Sequence, residues 1–426
     1  MKVVVAPHDM SIGGSQLNAI DLAGAVRDLG HEVIVHGVPG PAVEHVDRLG
    51  LRFVPATDQR YRPAPQRCVG LVRLVADEAV DIVHAYEWPP CLDAYFGPHL
   101  RWGTPLLCTV LSMHVPVQLP RSVPLLMGTE ALAERARQRG IRQVGVCEPP
   151  IDTVHDSVGR APSGRAGASD DDRNGDRREA VRSQWGIGPH EQLVVTVSRL
   201  AIDLKLDALE RLIDAVGALG AIRWVRLLVV GGGEAETVLR RRAADLNARA
   251  GRDVVLFTGE RSDPRPFYEA ADVVAGMGSS VLRAMSFSRP VVVQGAAGFA
   301  AVFDPSTAQW FLRNGFWGTG DGGDGSTLRR LLIDLLDDAE RRTSLGEFGR
   351  STVLERFDLR SAARRVEAAY HSVVERSDRI RPPVREVPAV AARALRSELS
   401  YHGLRHRGVA APRRARSGLD TCGVVS

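Results

Sequence analysis

Short runs of β-branched and aliphatic residues recur along the chain, and between them apolar positions return at helical spacing. The first run, Val3-Val-Val-Ala6, has the unbroken apolar character of a strand buried on both faces. A turn-rich loop from Pro7 ends at Gly13-Gly14. Beyond it Leu17, Ile20, Leu22, Ala23 and Val26 mark one face of a helix that Gly30 stops. Glu32-Val-Ile-Val35 is the next strand, which completes one strand-helix-strand unit. The alternation continues through strands at Asp81-Ile-Val83, Pro105-Leu-Leu-Cys-Thr-Val110 and Gln143-Val-Gly-Val146, with a helix over 131–139. Such a series implies a parallel, doubly wound sheet with right-handed crossovers.

Residues 157–178 interrupt the series. They are rich in Gly, Ser, Ala, Asp and Arg and carry no sizeable apolar residue after Val158, too little to offset the entropy of ordering, so a flexible loop is predicted. A second series then begins with Leu193-Val-Val-Thr-Val197, a helix over 206–219, Arg226-Leu-Leu-Val-Val230, a helix over 236–247 and Val254-Leu-Phe257. It continues with a strand ending at Gly276, a glycine turn, a short helix, a buried strand after Pro290 and an amphipathic helix over 327–336. A helix over 361–374 closes the fold, and 389–399 reads as a short basic amphipathic helix in an otherwise disordered tail. The expected fold class is α/β: two Rossmann-like, doubly wound parallel-sheet domains facing each other across a cleft. The expected boundaries are 1–155 and 191–358 for the domains, 156–190 for a flexible linker, 359–378 for the closing helix and 379–426 for the tail.

Composition changes this picture little. At 44% apolar and 25% charged residues the chain has the material for ordinary cores, and 426 residues suit two of them. No run approaches the roughly 18 apolar residues of a membrane span, and no charged-then-apolar leader is present, so a cytoplasmic protein is expected. The cysteines, Cys68, Cys91, Cys108, Cys147 and Cys422, form neither a CxxC pair nor a cluster with histidines; reduced thiols and no metal site are expected. Charge is uneven. From Arg379 onward ten arginines stand against Glu386, Glu398 and Asp420, so this segment holds +7 of the formal +4 and the rest of the chain is at −3. That is not the profile of a dedicated nucleic-acid binder, although the arginines and the 389–399 stripe also fit a weak contact with a membrane surface.

In open parallel sheets ligands bind beyond the carboxyl ends of the strands, at switch points in strand order. In the first half Gly13-Gly14 and His84-Ala-Tyr-Glu-Trp88 fall there; in the second, Ser198-Arg199 with Lys205, Gly231-Gly-Gly-Glu234, Gly259-Glu260 and Gly276-Met-Gly-Ser-Ser280. Gly276 and Gly278 let a ligand approach the backbone, and Ser279 and Ser280 head a helix whose first amides have no partner within it, a place suited to an anion. A plain strand-turn-helix connection fits that turn as well. A guanidinium fork at Arg199 and a point charge at Lys205, both flanking one strand end, suit a diphosphate. His84 fits either a satisfied core histidine or a cleft-facing group; Tyr86, Glu87 and Trp88 suit a sugar or a hydroxylated acceptor, and Glu87 equally suits a cap on the following turn. His114 is a weaker candidate, since Pro116 and Pro120 just after it suggest a loop. A dehydrogenase is disfavoured, because residues 6–14 lack GxGxxG and no acidic residue ends the strand at 32–35.

Taken together, the order and spacing of these pieces over most of residues 1–375 resemble the GT-B glycosyltransferases of family 4 type. The resemblance rests on Gly13-Gly14 with Leu29-Gly-His-Glu-Val33, on Val197-Ser-Arg-Leu200 with Lys205, on Leu228-Val-Val-Gly-Gly-Gly233, and on Tyr268-Glu-Ala-Ala-Asp272 leading into Gly276-Met-Gly278 and Arg283-Ala-Met285. It implies a retaining, metal-independent transferase that needs no cofactor beyond a nucleotide-diphosphate sugar as co-substrate. It further implies that Arg199 and Lys205 stabilise the departing diphosphate, with His84 as a third catalytic candidate. Donor-binding residues implied are Gly13, Gly14, Ser198, Gly232, Glu260, Gly276, Met277, Gly278, Ser279, Ser280 and Arg283, and the N-terminal domain, through Tyr86, Glu87 and Trp88, would take a small-molecule, glycan or lipid acceptor. In one respect the chain departs from the family. Where the pattern has two glutamates eight positions apart around Gly-Phe-Gly, this chain has Ala275 and Arg283, so the sugar and ribose contacts of those carboxylates do not carry over. An active transferase and a GT-B shell that binds a nucleotide or a partner without turnover are the two readings left.

Overall fold

The computed structural model describes residues 1–59, 61–156, 170–323, 325–377, 383 and 385–406. Among the described residues the chain forms two compact units, 1–150 with 359–406, and Ile151–Asp358. Unit 1 starts with β1 (Lys2–Ala6), α1 (Gly14–Asp28), β2 (Glu32–Gly37), α2 (Val43–Arg48), β3 (Arg52–Pro55), α3 (Pro65–Asp77) and β4 (Ile82–Tyr86). There follow α4 (Trp88–Ala94), a π-helical turn at Tyr95–His99, α5 (Leu100–Trp102), β5 (Leu106–Val110), β6 (Leu125–Met127), α6 (Glu130–Gln138) and β7 (Val144–Val146). Its seven strands run in the order β3-β2-β1-β4-β5-β6-β7, all parallel. The order reverses between β1 and β4, which is where a doubly wound sheet opens a crevice.

Unit 2 contains α7 (Asp170–Gln184), β8 (Gln192–Val197), α8 (Ile202–Gly220), β9 (Val225–Val230), α9 (Glu236–Ala250), β10 (Val255–Gly259), α10 (Arg265–Ala270) and β11 (Val273–Gly276). It is completed by α11 (Ser279–Ser286), β12 (Val291–Gln294), β13 (Ala300–Val302), α12 (Ala308–Asn314), α13 (Ser326–Asp337) and α14 (Ala339–Arg356). Its sheet has the order β10-β9-β8-β11-β12-β13, parallel except for the antiparallel edge strand β13, and its switch point lies between β8 and β11. Each sheet carries an apolar cluster on either face: Val194, Leu212, Leu228 and Leu332 are among the residues with no exposed surface in unit 2. The continuous apolar strands exist because both faces are covered.

Two expectations are corrected. Residues 157–169 lie outside the described residues, but Asp170–Gln184 is a helix, not loop. Composition undervalues it because its anchors are polar. Arg178 donates to the carbonyls of Ala270 at 2.8 Å and Ala271 at 3.0 Å and to Asp272 at 2.5 Å, while Val181 enters the core. The second correction concerns the tail. After α15 (Leu359–Ser377), residues 386–406 form α16 (Glu386–His406), 21 residues long, with Val390 and Ala394 buried in the core of unit 1. Residues 378–382, 384 and 407–426 lie outside the described residues, Cys422 among them; the other four cysteines are free thiols.

α15 is fixed to unit 1 by Ala362, Ala363, Val366 and Tyr370, an apolar stripe of helical period. Its last member also makes a polar contact: the Tyr370 hydroxyl lies 2.7 Å from His84 Nδ1, both groups being fully buried. Removing one partner of a buried hydrogen bond leaves the other unsatisfied. Tyr370→Phe should therefore lower the unfolding free energy by about 1–3 kcal/mol in urea denaturation; an unchanged midpoint would deny that this bond anchors the helix.

Candidate active site

At the carboxyl end of β8 the chain is held by a glycine turn. The Ser198 amide donates to the Val230 carbonyl at 3.0 Å, the Leu200 amide to that of Gly232 at 2.9 Å, and the Ala235 amide to that of Leu200 at 2.9 Å. Gly231 and Gly233 have φ of 136° and 151°, and a Cβ at either would lie 2.0 Å from the Ser198 oxygen or 2.5 Å from that of Leu200. Only glycine permits so close an approach. The turn therefore sets the position of Ser198-Arg199-Leu200. Gly232 contributes its carbonyl, and Glu260 lies exposed beyond β10 with its Cβ beside Gly232.

Lys205, in the first turn of α8, comes back over this segment and donates to Ser198 Oγ at 3.0 Å. Among the described residues no carboxylate pairs with Lys205 or with the exposed Arg199. Burial, helped by the Arg199 charge, pushes the Lys205 ammonium down to about 8. Lys205 and Lys2 are the only lysines in a chain with 55 basic residues, so a compact ammonium stands here where arginine is used almost everywhere else. Composition held that signal, and spacing alone passes over it.

β11 is the neighbour of β8, and its turn into α11 completes the cluster. Gly278 has φ 64° and donates its amide to Phe316 O at 2.8 Å, while Ser280 Oγ donates to Met277 O at 3.0 Å. The turn thus leads Ser279 and Ser280 into the helix with their amides at its positive end. Strand pairing brings Ser198, Arg199, Lys205 and the 276–280 turn to one end of one sheet. Ala275 and Arg283 have other employments. Ala275 is fully buried in the cluster that contains Val292 and Leu332, and Arg283 Nε donates to Asp156 Oδ2 at 2.9 Å. Asp156 is itself buried, and no motif points to it.

Unit 1 treats its candidates differently. Gly13 is the N-cap of α1 and Gly14 its first residue, and a Cβ on Gly13 would meet Gln16 Oε1 at 2.5 Å. Gln16 is buried and donates to Asp9 at 2.8 Å; Asp9 also accepts from the Ser11 amide at 2.9 Å and lies 3.1 Å from His8 Nε2. Burial opposes the Asp9 charge, but the His8 and Ser11 contacts outweigh it and hold the carboxyl well below its usual range. His8, Asp9 and Gln16 thus shape the loop at the β1 end, a network that sequence reasoning missed because none of them belongs to a motif.

The β4 candidates turn inward. His84 is wholly buried, with Nδ1 at Tyr370 and Nε2 2.7 Å from Thr109 Oγ1, and burial pushes it down to about 3. It is a neutral core histidine with both nitrogens engaged, which corrects its expected catalytic role. Tyr86 and Trp88 are likewise buried, at 2% and 3% exposure, Tyr86 because β4 is a central strand covered on both faces and Trp88 because it starts α4 inside the apolar core of unit 1. Glu87, at φ 70°, accepts from the amides of Leu111 and Ser112 at 2.9 Å and from Ser112 Oγ at 2.8 Å. It clamps the loop after β5, which also carries His114, and the three do not form an acceptor surface.

The two sheets and their switch points define a pair of Rossmann-like units of the GT-B class, and solved structures agree. The glycosyltransferase from Rickettsia africae ESF-5 matches with a TM-score of 0.68 at 13% identity, over 87% of this chain and 98% of the other. The Anabaena Alr3699/HepE structure in complex with UDP matches with a TM-score of 0.66 at 19% identity, over 87% of this chain and 100% of the other. At the sequence level, the family model for glycosyl transferases group 1 matches residues 191–337, and that for glycosyltransferase family 4 matches residues 12–137. Over those two stretches the chain is similar to group 1 and family 4 glycosyltransferases, one domain model falling in each unit. A curated relative, the GDP-mannose-dependent monoacylated alpha-(1-6)-phosphatidylinositol monomannoside mannosyltransferase of Corynebacterium glutamicum, is 29% identical over 191 residues, 41% of this chain; the match spans 46% of that relative, about half its length. Among the described residues no helix is long and apolar enough to cross a membrane.

The glycine turn provides the test of this geometry. Gly231→Ala forces a Cβ against the Ser198 carbonyl and should lower stability by about 2–4 kcal/mol in chemical denaturation, whereas Gly322→Ala, at a positive φ with open space around it, should lose about 1 kcal/mol. Equal losses at the two positions would contradict the close approach.

Proposed function

We propose that the protein transfers a sugar from a nucleotide-diphosphate donor to an acceptor hydroxyl, with retention of configuration and without a metal, unit 2 binding the donor and unit 1 the acceptor. The observation that carries this reading is the half-buried Lys205 ammonium beside Arg199 and Ser198, two cations without a carboxylate partner among the described residues at one strand end. Two adjacent positive charges repel each other, and partial burial makes this worse, so the arrangement is relieved by an anion. A diphosphate supplies two charges at the right scale. As the bond between the anomeric carbon and the diphosphate oxygen breaks, negative charge grows on the leaving group. Arg199, Lys205 and the amides at the start of α11 meet it, while the acceptor hydroxyl bonds to the carbon and passes its proton to the departing diphosphate oxygen. Charge stabilisation of this kind does not need the two family glutamates. The matches to the two glycosyltransferase domain models support sugar transfer in general, the Corynebacterium relative is named for a GDP-mannose donor, and the Anabaena protein was solved with UDP and with UDP-glucose. A nucleoside diphosphate is the common denominator of those ligands.

A second reading is a GT-B shell that binds nucleotide without turnover. It is favoured by Ala275 and by the engagement of Arg283 with Asp156, which leave neither glutamate position with a carboxylate for the sugar or ribose. Incubation with a panel of nucleotide sugars and candidate acceptors separates the two. Nucleotide release that Arg199→Ala and Lys205→Ala each reduce by about 100-fold or more supports transfer. Tight nucleotide binding with no release supports the shell, and near-normal turnover in both variants removes the leaving-group site.

Acidity gives an independent check. The ammonium exists below about 8 in the free protein, so nucleoside diphosphate affinity should be full at pH 7 and weaken as pH rises past 8. Thermal stabilisation by the nucleotide, compared at pH 7 and pH 9, should show this fall in the wild type and lose it in Lys205→Arg, whose guanidinium stays charged. An identical pH dependence in the two proteins would rule out Lys205 as the titrating group.

A further inference from the structure

The inward side of α16 packs into unit 1. Val390 and Ala394 fill the core of unit 1, Glu386 accepts from the amides of Arg121 at 2.5 Å and Ser122 at 3.1 Å, and Ser397 accepts from Gln118 at 2.9 Å. Glu398 is 7% exposed. Glu386 and Glu398 are the helix's two carboxylates, so none is offered outward.

Helical spacing places Ala392, Leu395 and Leu399 together on the outward face. Leu395 is 61% and Leu399 65% exposed, and Arg396 beside them is exposed too. The first turn of α16 lies next to the segment leading into α5, because the Glu386 charge is felt at Tyr95 and at His99. α5 adds Leu100 at 40% and Trp102 at 46% exposure around Arg101. In sequence, Arg407, Arg413, Arg414 and Arg416 follow against Asp420 alone. On α16 itself, exposed leucines beside an arginine, with both carboxylates turned inward, give the composition of a face that lies in the headgroup region of an anionic bilayer. Apolar side chains gain by leaving water there, and arginines gain from the surface potential.

We propose that α16 docks unit 1 onto an anionic lipid surface through Leu395 and Leu399, with Arg396 beside them. The occupant is the bilayer itself. The outward face supplies apolar area and positive charge but few groups that would fix the register of a protein partner.

The test uses the full chain and sedimentation with vesicles of phosphatidylcholine, alone or with about one third phosphatidylglycerol. Wild type should pellet with the anionic vesicles and stay in solution with the neutral ones. Leu395→Gln with Leu399→Gln should cut the partition about tenfold, since both side chains lose apolar area in the headgroup region. Arg396→Gln should cut it less and reduce its salt dependence. Both changes lie on exposed positions, so thermal melting should match the wild type, whereas truncation before Glu386 would uncover core residues. No pelleting above the neutral-vesicle level would overturn the proposal. So would binding that high salt abolishes but the leucine changes leave intact, which would mark a generic polyanion site.

Discussion

The geometry at the β8 end of unit 2 depends on one steric fact: the backbone at residues 231–233 passes so close to residues 198–200 that no side chain fits between them. A Cβ at Gly231 would stand 2.0 Å from the Ser198 oxygen. This contact does more than end a strand. It fixes the Ser198 hydroxyl that Lys205 reaches at 3.0 Å and so fixes an ammonium that burial has brought down to about 8. The adjacent strand β11 delivers the 276–280 turn to the same end of the sheet. Backbone packing thus places the cations before any ligand arrives, which is the preorganisation that electrostatic stabilisation of a leaving group requires.

Unit 1 spends its polar residues on shape instead. His84 and Glu87 each have their full set of partners inside the fold, the first between β5 and α15, the second across the loop after β5. The Asp9 network does the same for the loop before α1. Against this background the Arg283 and Asp156 pair is informative. The guanidinium on α11 lies near Arg265 and Tyr268, where the buried Asp156 carboxylate neutralises it, and the charge felt at Lys205 is that of Arg199. The local charge balance of unit 2 therefore differs from the family pattern while the pair at Arg199 and Lys205 is kept.

Much of this was legible in the sequence. Continuous apolar strands such as Val3-Val-Val-Ala6 and Leu193-Val-Val-Thr-Val197 require cover on both faces, and the helices between them supply it. The glycines at 231–233 and 276–278 announced turns, because few other residues take those conformations. What stayed hidden depended on tertiary partners. β6, at Leu125–Met127, is three residues long and lies in a proline-rich stretch, so only its neighbours define it. α7 is held by arginines on carbonyls, and α16 by two small apolar residues and a glutamate, none of which gives a strong periodic signal. For His84 the sequence allowed a core residue or a ligand contact. The hydroxyl that decides it belongs to Tyr370, far away in the chain.

The chain's two lysines make a direct measurement available. Lys2 is paired with Glu32 at 2.9 Å and Glu78 at 3.3 Å, which raises it above its ordinary value, so its signal in a protein labelled only at lysine side-chain nitrogens should be distinct from that of Lys205. Followed by magnetic resonance, Lys205 should titrate near 8 in the free protein and move upward by about one unit or more, equivalent to at least ~1.4 kcal/mol of interaction, when a nucleoside diphosphate saturates the site, with Lys2 unmoved. A Lys205 titration that stays where it was while the nucleotide demonstrably stabilises the protein would contradict the assignment of the diphosphate to the β8 end.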